Sequence, residues 1–101
     1  MEIQRDEHGT KGAFYIDENG EWLAEMTYFK SGKSEITIDH TEVDESLRGE
    51  HIGEDLVAAA VKYARENGLK IKATCPYAHR VLAHNPEYAD VFAKLSSQTG
   101  S

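Results

Sequence analysis

The chain has 101 residues, of which 40% are hydrophobic and 29% charged, with a formal net charge of −7: one globular domain, and too little chain for a second core. Its longest apolar run, Leu56–Val61, is far short of the roughly 20 residues of a membrane helix, and Met1–Asp6 lacks the basic start and apolar stretch of a signal peptide. The acidic balance argues against a nucleic-acid partner, and the single cysteine, Cys75, excludes an internal disulfide or a multi-cysteine zinc site. The expectation is a soluble, cytoplasmic domain with no membrane partner.

Residues Met1–Lys11 are polar and expected to fray, with room for one short strand. Gly12–Ile16 reads as the first clear strand. Asp17-Glu18-Asn19-Gly20 follows, and Asn-Gly is a strong hairpin signal because both residues tolerate positive φ. Glu21–Lys30 carries apolar and aromatic residues on both faces, as a central strand does. After the turn Ser31-Gly32-Lys33, the segment Ser34–Val43 alternates, which predicts that Ile36, Ile38 and His40 point one way and Glu35, Thr37 and Asp39 the other.

The period then changes. Ile52, Leu56, Val57, Ala60, Val61 and Ala64 recur at helical spacing, which predicts a helix from about Gly49 to Asn67 ended by Gly68. Leu69–Cys75 alternates again as a fourth strand. Strand, helix and strand make a βαβ unit, so the third and fourth strands should run parallel through a right-handed crossover. Pro76–His84 is expected to be helical, Asn85-Pro86 to break it, and Glu87–Leu95 to form a last short helix. Ser96–Ser101 reads as a disordered polar tail. The fold class is therefore α/β: a mixed sheet of antiparallel N-terminal strands, then a βαβ unit and C-terminal helices.

Ligands of open sheets bind beyond the carboxyl ends of parallel strands. Here those ends are His40-Thr41-Glu42-Val43 and Thr74-Cys75, on one edge beside the start of the helix. Cys75 has two readings. It is a nucleophile at a helix N-cap, where the dipole favours thiolate, or a small apolar side chain filling the core. His40 is a general base or a structural histidine bonded to a nearby loop. The Asp44–Gly53 loop, with Arg48, Gly49 and Gly53, could cradle phosphate oxygens on free N–H groups; it could equally be an ordinary charged connection. Cys75, His79 and His84 are close in sequence, but five residues on a helix is about 140° of rotation, so no metal site is expected.

The runs Ile38-Asp39-His40-Thr41-Glu42-Val43, Leu47-Arg48-Gly49-Glu50-His51-Ile52-Gly53 and Ala64–Ile71, followed by Cys75, Tyr77 and Asn85-Pro86-Glu87-Tyr88, resemble the smallest branch of the GNAT superfamily of N-acetyltransferases. The resemblance spans Gly12–Leu95 and implies one GNAT-like domain over residues 1–95 that binds acetyl-coenzyme A. It further implies that the loop Arg48, Gly49, Glu50, His51, Ile52 and Gly53 holds the pyrophosphate. Thr41, Glu42 and Val43 would line the pantetheine arm, with Cys75 as a candidate acyl acceptor and His40 as a candidate base. The expected activity is transfer of an acetyl group to an amine or a lysine-bearing acceptor, directly or through acetyl-Cys75. One departure stands out: His51 occupies the place of the loop's inner glycine, and Glu50 adds a carboxylate. Both should weaken coenzyme A binding, and they leave open a non-catalytic module that binds coenzyme A or a protein.

Overall fold

A computed structural model describes residues 2–93. Five strands form one sheet in sequential order: β1 (Gln4–His8), β2 (Lys11–Glu18), β3 (Glu21–Gly32), β4 (Glu35–Val43) and β5 (Lys70–Ala73). Neighbours from β1 to β4 are antiparallel, and β5 lies parallel to β4. Helix α1 (Ile52–Asn67) makes the crossover, and α2 (Pro76–His84) follows β5. This is the mixed α/β architecture expected from the periodicity. No helix among the described residues is long and apolar enough to cross a membrane.

Local chemistry explains most of these elements. Asn19 and Gly20 both adopt positive φ, 55° and 86°, the conformation that joins two twisted strands with a two-residue turn. Helix α1 buries Ile52, Leu56, Val57, Ala60, Val61 and Ala64, a stripe that packs on the sheet beside Phe14, Met26, Tyr28, Ile36 and Ile38. Gly68, left-handed at φ 66°, closes the helix with an N–H bond to the Ala64 carbonyl.

Three expectations are corrected. The N-terminal segment holds the one short strand it had room for and does not fray over residues 4–8: β1 pairs with β2 from Gln4↔Tyr15 to His8↔Lys11. The Glu7 carboxylate anchors it, accepting from the Tyr28 hydroxyl at 2.8 Å and from Arg5 at 2.7 Å, and pairing with Lys30 at 2.7 Å. The helix expected over Glu87–Leu95 is instead a single 3-10 turn, Pro86–Tyr88, after which Phe92 makes a parallel bridge to Ile71. The outer edge of β5 decides this, because the Ile71 backbone donates to Val91 and accepts from Ala93, satisfying an edge that would otherwise lie open. Residues 94 and 95, and the tail expected over 96–101, lie outside the described residues.

The third correction concerns β4. Its pairing with β3 runs Tyr28↔Ile38 and then Thr27↔His40, so Asp39 is an extra residue and β4 bulges there. A bulge reverses the alternation beyond it. His40 therefore leaves the face of Ile36 and Ile38 for the opposite one, beside Asp39, which accepts from the Thr27 hydroxyl at 2.6 Å. Thr41 and Val43, opposite Met26 and Ala24, turn to the helix-covered face.

Candidate functional site

The site begins where the parallel pair ends. The last register pair of β4 and β5 is Ile38↔Ala73. The Ile38 carbonyl then accepts from both Thr74 and Cys75, at 2.9 and 3.2 Å, as the chain turns into α2. Strand β4 continues through Asp39–Val43 with no strand partner on its β5 side among the described residues. The two strands thus diverge, leaving an open backbone edge and a gap.

The loop that follows β4 closes one end of that gap. Asp44 caps a 3-10 turn at Glu45–Leu47, accepting from the Ser46 N–H at 3.0 Å and its hydroxyl at 2.6 Å. These bonds hold the Asp44 carboxyl below the ordinary carboxylate range. Leu47 is buried and pins the turn to the core. Gly49 at φ 90° and His51 at φ 60° then redirect the backbone into α1. A left-handed non-glycine residue costs roughly 1–2 kcal/mol, and His51 carries that strain with no side-chain cap bond to the helix. The first intrahelical bond runs from Asp55 N–H to the His51 carbonyl, so the preceding N–H groups of α1 have no helical acceptor.

Between this loop, β4 and α2 lies a groove of about 420 Å³ lined by Thr41, Val43, Leu47, Arg48, Gly49, His51, Ile52, Gly53, Glu54 and Tyr77. Gly53 and Tyr77 shape its floor together: a Cβ on Gly53 would stand 2.5 Å from the Tyr77 hydroxyl oxygen. Only glycine lets the ring lie against α1. Burial raises the Tyr77 pKa, and Glu54 adds to the rise, so the phenol stays protonated in the physiological range. Arg48 and Glu54 both line the wall, so it carries both signs, and His51 Nδ1 lies 3.5 Å from the Glu54 carboxylate.

Of the residues singled out from the sequence, Thr41, Val43, Arg48, Gly49, His51, Ile52 and Gly53 meet around this groove. Glu50 is exposed on the loop beside it. Cys75 is the N-cap of α2 with Pro76 in the first turn. It is only 7% exposed and donates to Thr41 Oγ1 at 3.4 Å, so the thiol lies one side chain behind the groove wall. His40 and Glu42 are elsewhere, on the opposite face of β4. There His40 Nε2 is 3.4 Å from Glu42 Oε1, and Glu25, His40 and Glu42 bring three potential ligand atoms within 4.8 Å of one another. His79 packs edge-on against Phe92 instead of joining Cys75. Tyr77 was not singled out as a groove residue from its chemistry. Its signal is positional, two residues after Cys75 in the first turn of α2 and across from a glycine of α1.

A family model described as GCN5-related N-acetyl-transferase matches residues 13–91. Protein NATD1 of Danio rerio is 37% identical over 84 residues, which cover 81% of this chain and 76% of that protein. The solution structure of a GCN5-like protein from Staphylococcus aureus is 39% identical with a TM-score of 0.71, covering 98% of this chain and 94% of that one. AAC(6')-Iy, solved with the bisubstrate analogue CoA-S-monomethyl-acetylneamine, shares the fold at 13% identity and a TM-score of 0.55, over 75% of this chain and 60% of that one. With the split between β4 and β5 and the loop that opens α1, these matches identify the chain as a member of the GCN5-related N-acetyltransferase family.

Proposed function

We propose that this protein transfers the acetyl group of acetyl-coenzyme A to an amine. One observation carries the reading: the gap between β4 and β5 opens directly onto the unpaired N–H groups of α1, beside Arg48. Helix N-termini favour phosphate oxygens, so the loop Arg48–Gly53 is the pyrophosphate seat. The pantetheine arm, which carries amides, pairs with the open backbone edge of Thr41–Val43 as an added strand would.

In this reading Cys75 is the acyl acceptor. Its sulfur attacks the thioester carbonyl, the bond to the coenzyme A sulfur breaks, and coenzyme A leaves as the thiol with the proton that Cys75 gave up. The acceptor amine then attacks acetyl-Cys75, the sulfur–acyl bond breaks, and the thiol re-forms. The proton that the amine loses is the one that re-forms the thiol; His40, on the other face of the same strand, can take only the proton of an ammonium acceptor before that acceptor enters the site. NMR titration with acetyl-coenzyme A should shift residues 40–53 and 75–77, and mass spectrometry should find an acetyl adduct on Cys75. No shifts would remove the reading; shifts and turnover without an adduct would leave direct transfer.

A second reading is supported by Glu50, Glu54 and Asp55 around the phosphate seat and by the strained His51. Carboxylates there repel a bound anion, which favours a binding module without turnover. A melting-temperature rise with coenzyme A, together with no product from a broad amine panel, would select it.

A further inference from the structure

We propose that Thr41 is the positioning residue of the Cys75 thiol: its hydroxyl holds the thiolate, and its side chain covers the sulfur from the groove. The inference rests on the reading of Cys75 as acyl acceptor. Strict alternation from Ile38 would turn His40 toward the helix-covered face and Thr41 away from it. The bulge at Asp39 exchanges them, so the hydroxyl, not the imidazole, meets the sulfur at 3.4 Å.

The rest of the surroundings leave that bond without a rival. Cys75 makes no side-chain bond to the α2 backbone despite its N-cap position, and Thr41 is its one side-chain hydrogen-bond partner among the described residues. Tyr77, two residues further on in α2, has its phenol pKa raised by burial first and then by Glu54, with Arg80 opposing and Asp55 adding to the rise. On β4 the titratable neighbours, His40 and Glu42, are turned to the other face. When the thiol loses its proton, rotation of the Thr41 hydroxyl converts it from acceptor to donor. The hydrogen bond becomes charge-assisted, which favours the thiolate. The same side chain lines the groove while Cys75 stays 7% exposed, so an incoming thioester reaches sulfur only as Thr41 gives way.

Cys75 is the only cysteine in the chain, so iodoacetamide alkylation against pH reads this thiol alone, without acetyl-coenzyme A. Thr41→Val, which keeps the shape and loses the hydroxyl, should raise the midpoint of the profile by about one pH unit. Thr41→Ser should return the midpoint to the wild-type value while alkylating faster at every pH, because it restores the donor and removes the covering methyl. His40→Gln should leave the midpoint in place. In the wild-type protein, the Thr41 methyl resonance should titrate with the Cys75 midpoint, a readout that needs no variant to fold. An unshifted Thr41→Val profile, a Thr41→Ser midpoint equal to that of Thr41→Val, a shift caused by His40→Gln, or a Thr41 methyl blind to the titration would each overturn the proposal. A shifted profile without an acetyl adduct would instead overturn only the acyl-acceptor reading.

Discussion

Replacing Gly53 by alanine tests how the groove is built. The new Cβ would lie 2.5 Å from the Tyr77 hydroxyl oxygen and 2.8 Å from two of its ring carbons. Nonbonded heavy atoms settle at roughly 3.5–4 Å, so the ring has to retreat by about 1 Å, into the groove it floors. Overpacking of this kind costs roughly 1–3 kcal/mol. Alanine in a helix gains at most ~1 kcal/mol over glycine, so the single variant should lose stability. Once Tyr77→Ala removes the ring, the same Gly53→Ala change should become stabilising, which sets the coupling between the two sites at about 2 kcal/mol. Urea unfolding of the wild type, both single variants and the double variant measures it. If Gly53→Ala shifts stability equally in both backgrounds, the close packing of α1 against α2 is not what selects glycine here. In the Gly53→Ala single variant acetyl-coenzyme A should also bind more weakly, because the displaced ring fills part of its groove.

The Glu7 cluster makes a prediction about pH. Hydrogen bonds from Lys30 and Tyr28 lower the Glu7 pKa from its ordinary 4.5. A depressed folded-state value means the contribution is complete above the unfolded value and is lost as pH falls through the folded one. Acid should therefore weaken the wild-type fold below about pH 4.5, and Glu7→Gln should lose about 1–3 kcal/mol at neutral pH with a flatter acid slope in urea unfolding; parallel slopes would exclude Glu7 as the source. His51→Gly should relieve the left-handed strain at φ 60°. Because glycine also loosens the unfolded chain, the net gain is at most ~1 kcal/mol. The same variant should tighten acetyl-coenzyme A binding in isothermal titration, and unchanged affinity would discard the idea that the histidine crowds the phosphate seat.

Wherever neighbours in the chain are also neighbours in space, the residues alone were informative. The α1 stripe from Ile52 to Ala64, the Asn19-Gly20 turn and the stop at Gly68 are set by spacings of four residues or fewer, and all three appear in the fold. The parallel pairing of β4 with β5 also agrees with the chain, because a strand, helix and strand in succession are the usual parallel crossover unit. That topology by itself puts the loop Arg48–Gly53 and the end of β4 on one edge.

Contacts between distant segments were a different matter. Nothing in Ile36-Thr37-Ile38-Asp39-His40 marks a bulge. The extra residue shows only in the pairing of β4 with β3, immediately beyond the last pair of β4 with β5. That one-residue shift puts Thr41, not His40, on the face of the thiol, whereas period-two alternation puts His40 with Ile36 and Ile38. Strand β1 likewise depends on partners at Lys30 and Tyr28. The C-terminal segment after Tyr88 became a strand partner because the Ile71 edge was open. Helical and strand periods report only which face each residue would take along an ideal element. Which faces meet, and where an element must kink to meet them, is a balance of pairing and packing energies that exists only once the whole chain has closed on itself.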